Sequence, residues 1–298
     1  MSRFYRLAVI SHAGQPLAVV EQEGRLVPVA AILGEAPGPL TGLGPLLADW
    51  PRWSAAIEAA LPAADAFADA IQATDAKFLP PVAVPGKLVC IGANYHDHIN
   101  EMPIPMVPKY PFSFIKPHNN TLRGSGAPVK APQGVAMMDY EAELGVVIGV
   151  ECANVPAAEA LSVVAGYLNF NDVSARDWIE KRPPIGVDWV MHKGFDGFAP
   201  VGPYLVPARF VPDPQDLPIR LSVNGQVRQN SSTAQMVFGV TQCIEHLSRI
   251  MTLYPGDIIG TGTPAGVAHG RKDKAYLAPG DIIRMEIGPL GELVTPVI

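Results

Sequence analysis

The chain has 298 residues, of which 48% are hydrophobic, so it can bury a large core without a partner. A formal net charge of -6 and the absence of any run of Lys or Arg argue against a nucleic-acid partner. The sequence has neither a leader-like apolar start nor an apolar stretch of about 20 residues, so we expect no membrane span. Three scattered cysteines, Cys90, Cys152 and Cys243, indicate neither a disulfide framework nor a thiolate zinc site and favour a reducing, cytoplasmic setting.

The frequent Pro and Gly residues, 31 and 28 in number, indicate a chain that turns often, which favours many short strands over a helical bundle. The first part of the chain is predicted to contain two strands, a hairpin turn and one helix, at 6–10, 17–29, Glu23-Gly24 and 50–61. The Pro-rich stretch 79–85 is the predicted boundary between a small N-terminal α+β domain, 1–80, and a larger domain, 85–298. We therefore expect an α+β fold that is mainly β.

Beyond this boundary, apolar and alternating segments predict further strands, at 87–92, 144–150 and 283–287. The segment 156–165 begins with a Pro suited to the first turn of a helix, and 163–168 is another apolar segment. Asn224-Gly225 is the strongest hairpin signal in the chain. Apolar residues at helical spacing predict one buried amphipathic helix, on Met236, Val240, Ile244, Leu247 and Met251. Two copies of Pro-Gly-Asp-Ile-Ile, which begin at Pro255 and Pro279, predict two similar turns that each lead into a strand.

Three carboxylates are the candidate ligands of a metal ion. Glu141 and Glu143 are two residues apart, so on a strand they point to the same face. Asp172 ends a separate apolar segment and can supply a third oxygen from a neighbouring element. A ligand set without His or Cys favours Mg²⁺, or else Mn²⁺ or Ca²⁺, over Zn²⁺. For the two glutamates alone, a solvated polar strand face is the competing interpretation.

A candidate catalytic pair and three candidate cations accompany these acids. His98 and Glu101 are three residues apart, so on a helical turn the carboxylate can orient the imidazole as a general base, although a weak surface pair would have the same spacing. Lys116 and Lys193 interrupt apolar or glycine-rich segments, where a lysine can serve a substrate carboxylate, an oxyanion or a metal-ligating acid, or else extend to solvent. Arg176 can reach back to a carboxylate or pair with a structural acid.

The glycine-rich loop 260–267, GTGTPAGV, offers small residues and free N–H groups to a ligand. It lacks the Lys of a P-loop and does not match GxGxxG, so nucleotide binding is not indicated. The chain also lacks a GxSxG elbow, so a serine nucleophile is not expected.

Taken together, these residues resemble the fumarylacetoacetate hydrolase family. The matching segments follow the family's order and are IGANYHDHINEM at 91–102, PFSFIKP at 111–117, MDYEAELGVVIG at 138–149, NDVSARD at 171–177, HKGFDGFAPVGPYLV at 192–206, VNGQVRQ through GDIIGTGTPAGV at 223–267, and finally LAPGDIIRMEI. The resemblance implies a catalytic domain of mixed strands rolled into a barrel-like β-sandwich with short helices, assembled as a homodimer.

The resemblance also implies roles for individual residues. It places Mg²⁺ on the three carboxylates, and it implies three catalytic residues, His98, Glu101 and Lys193. Substrate-binding positions are implied for four others, Lys116, Arg176, Gly262 and Thr263. One departure is Ile179, where some hydrolases of the family carry Gln, and the segment KRPPIGVDW at 181–189 is more like other branches of the family. Fumarylacetoacetate itself is therefore not the expected substrate.

The function that follows is a Mg²⁺-dependent hydrolase that cleaves a carbon–carbon bond in a small, acidic 1,3-dicarbonyl or acylpyruvate-type substrate. The His98–Glu101 pair would activate water, and Lys193 would stabilise the developing negative charge. Two reactions that pass through the same enolate stay open: decarboxylation of an oxaloacetate-like acid, and isomerisation or hydration of an unsaturated 2-oxo dicarboxylic acid. A noncatalytic metal-binding protein is the remaining alternative, but it would need neither a general base nor Lys193.

Overall fold

The computed structural model of this chain describes residues 3–34, 40–61 and 70–298. Strands dominate these ranges, and most of the helices are short. Within the described ranges, no helix is long and apolar enough to cross a membrane.

The N-terminal part of the chain forms a five-stranded antiparallel sheet in the order β4-β3-β2-β1-β5. Its strands are β1 (Arg6–His12), β2 (Gln15–Gln22), β3 (Arg25–Pro28), β4 (Ile71–Gln72) and β5 (Lys77–Leu79). The hairpin between β2 and β3 turns at Glu23 and Gly24, both with positive φ, as predicted. The predicted range 17–29 therefore contains parts of two strands, β2 and β3, on either side of this turn.

A six-stranded sheet forms the centre of the molecule, in the order β14-β11-β10-β17-β6-β7. Its strands are β6 (Leu88–Gly92), β7 (Phe112–Ile115), β10 (Ala142–Ile148), β11 (Val164–Asn171), β14 (Val206–Pro207) and β17 (Ile258–Gly260). Only the β6–β17 pair is parallel; the other pairs are antiparallel. Every residue of β10 and β11 is buried, because these central strands are covered on both faces.

A four-stranded antiparallel sheet lies beside the central one, in the order β16-β15-β18-β19. Its strands are β15 (Pro218–Val223), β16 (Gln226–Ser232), β18 (Ile282–Ile287) and β19 (Glu292–Pro296). The turn between β15 and β16 lies at Asn224 and Gly225, as the sequence predicts. Two small two-stranded sheets complete the strands, with β8 (Leu122–Arg123), β9 (Met138–Asp139), β12 (Ser174–Ala175) and β13 (Ala199–Pro200).

Eight α-helices connect the strands of the described chain. They are α1 (Val29–Leu33), α2 (Gly44–Leu47), α3 (Trp50–Ala60), α4 (His96–Glu101), α5 (His118–Thr121), α6 (Asp177–Glu180), α7 (Trp189–Lys193) and α8 (Val240–Ile250). The helix predicted from apolar spacing is α8, but Met236 and Met251 lie just outside it. Because neither residue is helical, the spacing overstates the length of this helix.

Two apolar cores lie on the two faces of strand β10. Leu144 packs in one core with Leu221 and Met285 of the four-stranded sheet. Val147, on the opposite face, packs in the other core with Leu7 of the N-terminal sheet and Trp50 of α3. The N-terminal part therefore has no core of its own separate from the central sheet, and the division into domains 1–80 and 85–298 stays a prediction. The predicted class, α+β and mainly β, is confirmed.

Candidate active site

Three carboxylates meet at the start of β10 and the end of β11. Ala142 opposes Asn171 in the antiparallel register, so Glu141 and Asp172 lie just beyond the paired ends of the strands. The backbone N–H of Asp172 donates to the carbonyl of Glu141 over 2.9 Å and holds the two residues side by side. Glu143 lies two residues further along the chain on the same face as Glu141. All three are buried, and one oxygen from each lies within 4.8 Å of the others.

Three buried cations contact the carboxylates of this cluster, and two of them, Lys193 and Arg176, contact Glu141. Lys193 Nζ lies 2.5 Å from Glu141 Oε2 and 2.6 Å from Asp172 Oδ2, and Arg176 Nη2 lies 2.5 Å from Glu141 Oε1. Burial raises the pKa of Glu141, but Lys193 and Arg176 outweigh burial and lower that pKa overall. Burial lowers the pKa of Lys193, but Asp172 and Glu141 outweigh it and raise that pKa overall. Both partners are therefore charged at neutral pH.

Lys116, predicted as a substrate contact, is buried just after β7. Its ammonium group donates to the carboxylate of Asp172, and to the carbonyl oxygens of Val173 and Phe198 at 3.1 and 2.7 Å. These acceptors use all three N–H donors. The sequence left three possible anions for Lys116: a substrate carboxylate, an oxyanion or a metal-ligating acid. In the structure Lys116 contacts the last of these, Asp172. Burial lowers the pKa of Lys116, and Asp172 offsets only part of that effect.

Glu143 differs from the other two carboxylates because no cation contacts it in the described part of the chain. It accepts a hydrogen bond from the N–H of Gly262 at 3.1 Å. Burial, and then the nearby charges of Asp172 and Glu141, raise the pKa of Glu143 well above its usual value. A buried carboxylate in this position is stabilised by a cation, and an all-oxygen ligand set suits a hard divalent ion. The three carboxylates therefore fit a divalent metal.

Asp139 organises this cluster, although no sequence pattern indicated a role for it. It is fully buried and accepts hydrogen bonds from Ala268 N at 2.8 Å, His269 N at 3.0 Å and Arg176 Nε at 2.9 Å. Arg176 thus bridges Asp139 and Glu141, which joins the loop after β17 to the metal-binding cluster. In the sequence Asp139 is recognisable only as an acid at the start of a buried segment, because its hydrogen-bond partners are distant in the chain.

The predicted His98–Glu101 pair forms on α4. His98 Nδ1 lies 2.7 Å from Glu101 Oε1, while Glu101 Oε2 accepts a hydrogen bond from Gly266 N at 2.9 Å. Because a carboxylate only accepts, Nδ1 carries the proton and Nε2 keeps its lone pair. Gly270 packs so closely that a Cβ built on it would lie 2.4 Å from Glu101 Cδ. The imidazole is therefore oriented as a general base requires.

One cavity of about 740 Å³ joins these groups. The buried part of its lining, called the floor here, contains the three clustered carboxylates, Lys193, Arg176, His98 and Thr263. Thr263 Oγ1 accepts a hydrogen bond from Gln229 Nε2 at 2.8 Å. The side-chain oxygen of Gln229 accepts a hydrogen bond from Ala142 N at 2.9 Å, a role that no sequence pattern indicated. Lys116 and Gly262 do not line the cavity; both contact its carboxylates from behind.

Aromatic residues form one wall of the cavity. The rings of Phe114 and Trp189 stack with centroids 4.6 Å apart, and Phe112 lies 5.4 Å from Trp189. His192 lies on the same helix as Trp189, and its Nδ1 is 2.9 Å from the carbonyl oxygen of Ala175. Burial, followed by the charges of Lys193 and Arg176, lowers the pKa of His192 to about 2. His192 is therefore neutral and differs in this respect from the cations beside it.

Comparison with known proteins now identifies the family. The model of the fumarylacetoacetate (FAA) hydrolase C-terminal region matches residues 87–298. The chain belongs to the fumarylacetoacetate hydrolase family. It is 41% identical over 243 residues to oxaloacetate tautomerase fahd2 of Xenopus laevis, which is named as mitochondrial, covering 82% of this chain and 75% of the relative. It is also 48% identical over 208 residues to a putative hydrolase of Burkholderia multivorans, covering 70% and 72%.

A solved structure of the family resembles the whole chain. Maleylpyruvate hydrolase from Sphingobium sp. SYK-6, in complex with manganese(II) and pyruvate, superposes with a TM-score of 0.78 at 30% identity, covering 98% of both chains. The resemblance inferred from sequence motifs is thus confirmed, and the protein is an enzyme of this family. Its acidic triad and the manganese complex together indicate a divalent metal. The individual roles of the site residues stay predictions.

Proposed function

We propose that this enzyme interconverts the enol and keto forms of a small 2-oxo acid, with His98 and Glu101 moving the proton. The observation that carries this proposal is the 2.7 Å contact between His98 Nδ1 and Glu101 in the same cavity as the buried carboxylate triad. The name of the Xenopus relative, an oxaloacetate tautomerase, supports a reaction of this class.

Glu141, Glu143 and Asp172 would hold the metal, for which we propose Mg²⁺, with Mn²⁺ as the next candidate because of the manganese complex of the Sphingobium enzyme. A bound divalent ion supplies Lewis acidity toward the two oxygens of a 2-oxo acid. Lys193 and Arg176 keep Glu141 ionised, so that it remains a ligand at neutral pH. Lys116 neutralises Asp172 from the side away from the cavity.

The proton transfer is assigned to His98. Its Nε2 accepts the proton of the enol hydroxyl, and the imidazolium that results donates this proton to the neighbouring carbon, so that the number of protons on the substrate is unchanged and His98 returns to its neutral form. Glu101 stabilises the imidazolium that forms between these events, and Gly266 N–H holds the second oxygen of Glu101 in place. The buried Lys193 lies near the charge that develops on the substrate oxygen.

Carbon–carbon hydrolysis, the reaction first expected from the sequence, is the second candidate. It is supported by the names of the Sphingobium maleylpyruvate hydrolase and the putative hydrolase of Burkholderia multivorans. In this reaction His98 removes a proton from water, and the resulting hydroxide adds to the carbonyl more distant from the carboxylate. The carbon–carbon bond then breaks, its electron pair remains on the 2-oxo acid fragment, and that carbon receives a proton.

The proposal is tested with the enol forms of oxaloacetate and several acylpyruvates, incubated with the protein and Mg²⁺ or Mn²⁺. Faster loss of enol absorbance without a change in mass supports a tautomerase, and two acids that contain oxygen from labelled water support a hydrolase. Release of carbon dioxide would instead identify a decarboxylase. We expect His98→Asn to lower the tautomerisation rate by about 10²- to 10⁴-fold while metal binding persists.

Samples treated with EDTA provide the metal control, and Glu101→Gln provides a matched variant that keeps the imidazole but lacks its charged partner. If neither metal accelerates loss of the enol above the spontaneous rate for any substrate, the proposed function is wrong. A small acidic substrate is part of this proposal, while a homodimer and a cytoplasmic location stay predictions from the sequence.

A further inference from the structure

Four cations line the exposed part of the cavity, which we call the mouth and define by Arg182, Arg271, Lys272 and Lys274. Arg182 follows α6, whereas the other three follow the loop that holds Glu101. The cavity lining also contains four carboxylates, but all of them are already assigned: Glu101 pairs with His98, and the other three form the metal-binding cluster. The mouth therefore contributes positive charge only.

Most of this positive charge is not neutralised by the protein. Arg271 is paired with Asp273, at 3.1 Å from Nε to Oδ1. Arg182 donates to the carbonyl oxygen of Ile179 at 2.9 Å, and Lys274 donates to that of His269, but neither contacts a carboxylate in the described ranges. Lys272 likewise has no carboxylate partner among the described residues. The formal net charge of the whole chain is -6, so this group of cations is opposite in sign to the overall charge.

The space between the floor and the mouth suits a carbon chain. Phe114 lies 5.5 Å from Lys193 Nζ on one side and stacks on Trp189 on the other. Ile104 and Ile179 also line the cavity. A volume of about 740 Å³ falls in the range of sites that hold drug-sized ligands. A short acid that occupies only the floor would leave the aromatic wall and the mouth without contacts.

We propose that Arg182, Lys272 and Lys274 form a distal anion site that binds the far carboxylate of an extended dicarboxylic 2-oxo acid. This inference rests on the proposed function for the near end of the substrate, where the 2-oxo acid group binds at the floor. The aromatic wall then contacts the intervening carbon chain, and the mouth selects substrates by the presence and position of a second charge. Charge-assisted hydrogen bonds of this kind are stronger than neutral ones.

The test measures binding to the metal-loaded full chain by calorimetry, with two probes of equal chain length. 2-Oxoadipate carries a far carboxylate, whereas 2-oxohexanoate ends in a methyl group. We expect 2-oxoadipate to bind about tenfold more tightly. In the triple variant Arg182→Gln, Lys272→Gln, Lys274→Gln, that advantage should disappear, while the affinity for 2-oxohexanoate should not change.

A matched control removes the same types of charge from exposed positions outside the cavity. The triple variant Lys130→Gln, Lys181→Gln, Arg220→Gln has the same net charge as the test variant and should keep the tenfold preference. If it loses the preference as well, the effect is one of net charge and the distal site is overturned. The wild-type protein gives a second measurement without any substitution, because the preference for 2-oxoadipate should shrink as salt is added.

The two proposals fail in different ways. Equal affinities of the wild-type protein for the two probes would overturn the distal site and leave the proposed function standing. If neither probe binds to the metal-loaded protein, the proposed function is overturned and the distal site with it. Loss of affinity for both probes in the test variant, with an unchanged ratio between them, would also contradict a site for the far carboxylate.

Discussion

The floor and the mouth of the cavity differ in how the protein treats charge. At the floor, Glu141, Asp172, Lys193 and Arg176 are buried and form direct ion pairs. At the mouth the cations are largely exposed, and in the described chain only Arg271 contacts a carboxylate. The three carboxylates of the floor lie on or directly beside the central strands β10 and β11, whereas the cations of the mouth lie on loops, one of them after the short helix α6.

This difference separates two functions of one site. Buried ion pairs are costly to break, so the floor is committed to a single arrangement of charges. Exposed lysines and arginines contribute little to folding, so the mouth can change without loss of the fold. We infer that the floor fixes the chemistry and the mouth fixes the substrate. The following predictions test how far the floor depends on its own charge balance and on the loops around it.

The largest effect is expected from two matched substitutions within the floor. Glu141→Gln leaves Lys193 and Arg176 with fewer anionic partners and should lower the metal-free stability by about 3 kcal/mol. The pKa of Glu143 is raised in the fold, so burying this carboxyl costs metal-free stability at neutral pH; Glu143→Gln removes that cost and should raise the metal-free stability by about 1 kcal/mol. Chemical unfolding of the EDTA-treated proteins at neutral pH measures both values.

The metal should make the wild-type protein more stable than Glu143→Gln, which reverses the order of these two in the metal-free state. At a metal concentration 100 times the Kd, the wild-type protein should gain about 2.7 kcal/mol, whereas Glu143→Gln should gain little because it lacks a ligand. Both variants should also lose most activity. The same sign of stability change in the two metal-free variants would contradict the charge assignment at the floor, and an undiminished metal gain in Glu143→Gln would exclude Glu143 as a ligand.

The floor was largely predictable from the sequence because its ligands follow local rules. Alternation along a strand places Glu141 and Glu143 on one face, and a spacing of three on a helical turn brings His98 to Glu101. The contacts made by Asp139 and Gln229 were not predictable, because their partners, among them Ala268, Arg176, Thr263 and Ala142, lie on other elements more than thirty residues away in the chain. Such contacts depend on how the sheets pack.

The two Pro-Gly-Asp-Ile-Ile segments show the same limit. Both form the predicted turn, with φ of +89° at Gly256 and +100° at Gly280, and both lead into a strand. Ile258 is fully buried at the centre of the six-stranded sheet, whereas Ile282 is 41% exposed in the four-stranded sheet. The five residues therefore determine the turn, but the position of the strand in its sheet determines burial. The charges of the mouth, which lie on loops, had no comparable pattern.

A smaller effect is expected at Gly270, which packs directly against Glu101 of the catalytic pair. Gly270→Ala would place a methyl group 2.6 and 2.7 Å from the two carboxylate oxygens of Glu101. The flexible Glu101 side chain should move away from His98 and Gly266, so we expect about a tenfold loss of kcat with stability changed by less than about 1 kcal/mol. Steady-state kinetics and thermal unfolding measure the two quantities.

Two comparisons isolate the cause of this loss. Gly44→Ala serves as the control, because a Cβ at Gly44 has no heavy atom within 4 Å, and it should retain wild-type kcat. In a Glu101→Gln background, where the charged partner is already lost, Gly270→Ala should add little, because the two residues act on the same imidazole. A further tenfold loss in that background would show that Gly270 affects catalysis by another route.

The smallest effect concerns the neutral histidine among the floor's cations and appears only in acid. Burial, with Lys193 and Arg176, lowers the pKa of His192 to about 2. Below about pH 6.5 the unfolded chain protonates this histidine but the folded protein does not, so stability falls with decreasing pH by up to about 1.4 kcal/mol per pH unit. His192→Asn keeps a donor to the Ala175 carbonyl and should remove this slope between pH 6.5 and 5. Urea unfolding across that range measures the slope, and the values at pH 7 control for packing. An unchanged slope in the variant would mean that His192 is protonated in the fold, so that the floor holds one more positive charge than its ion pairs indicate.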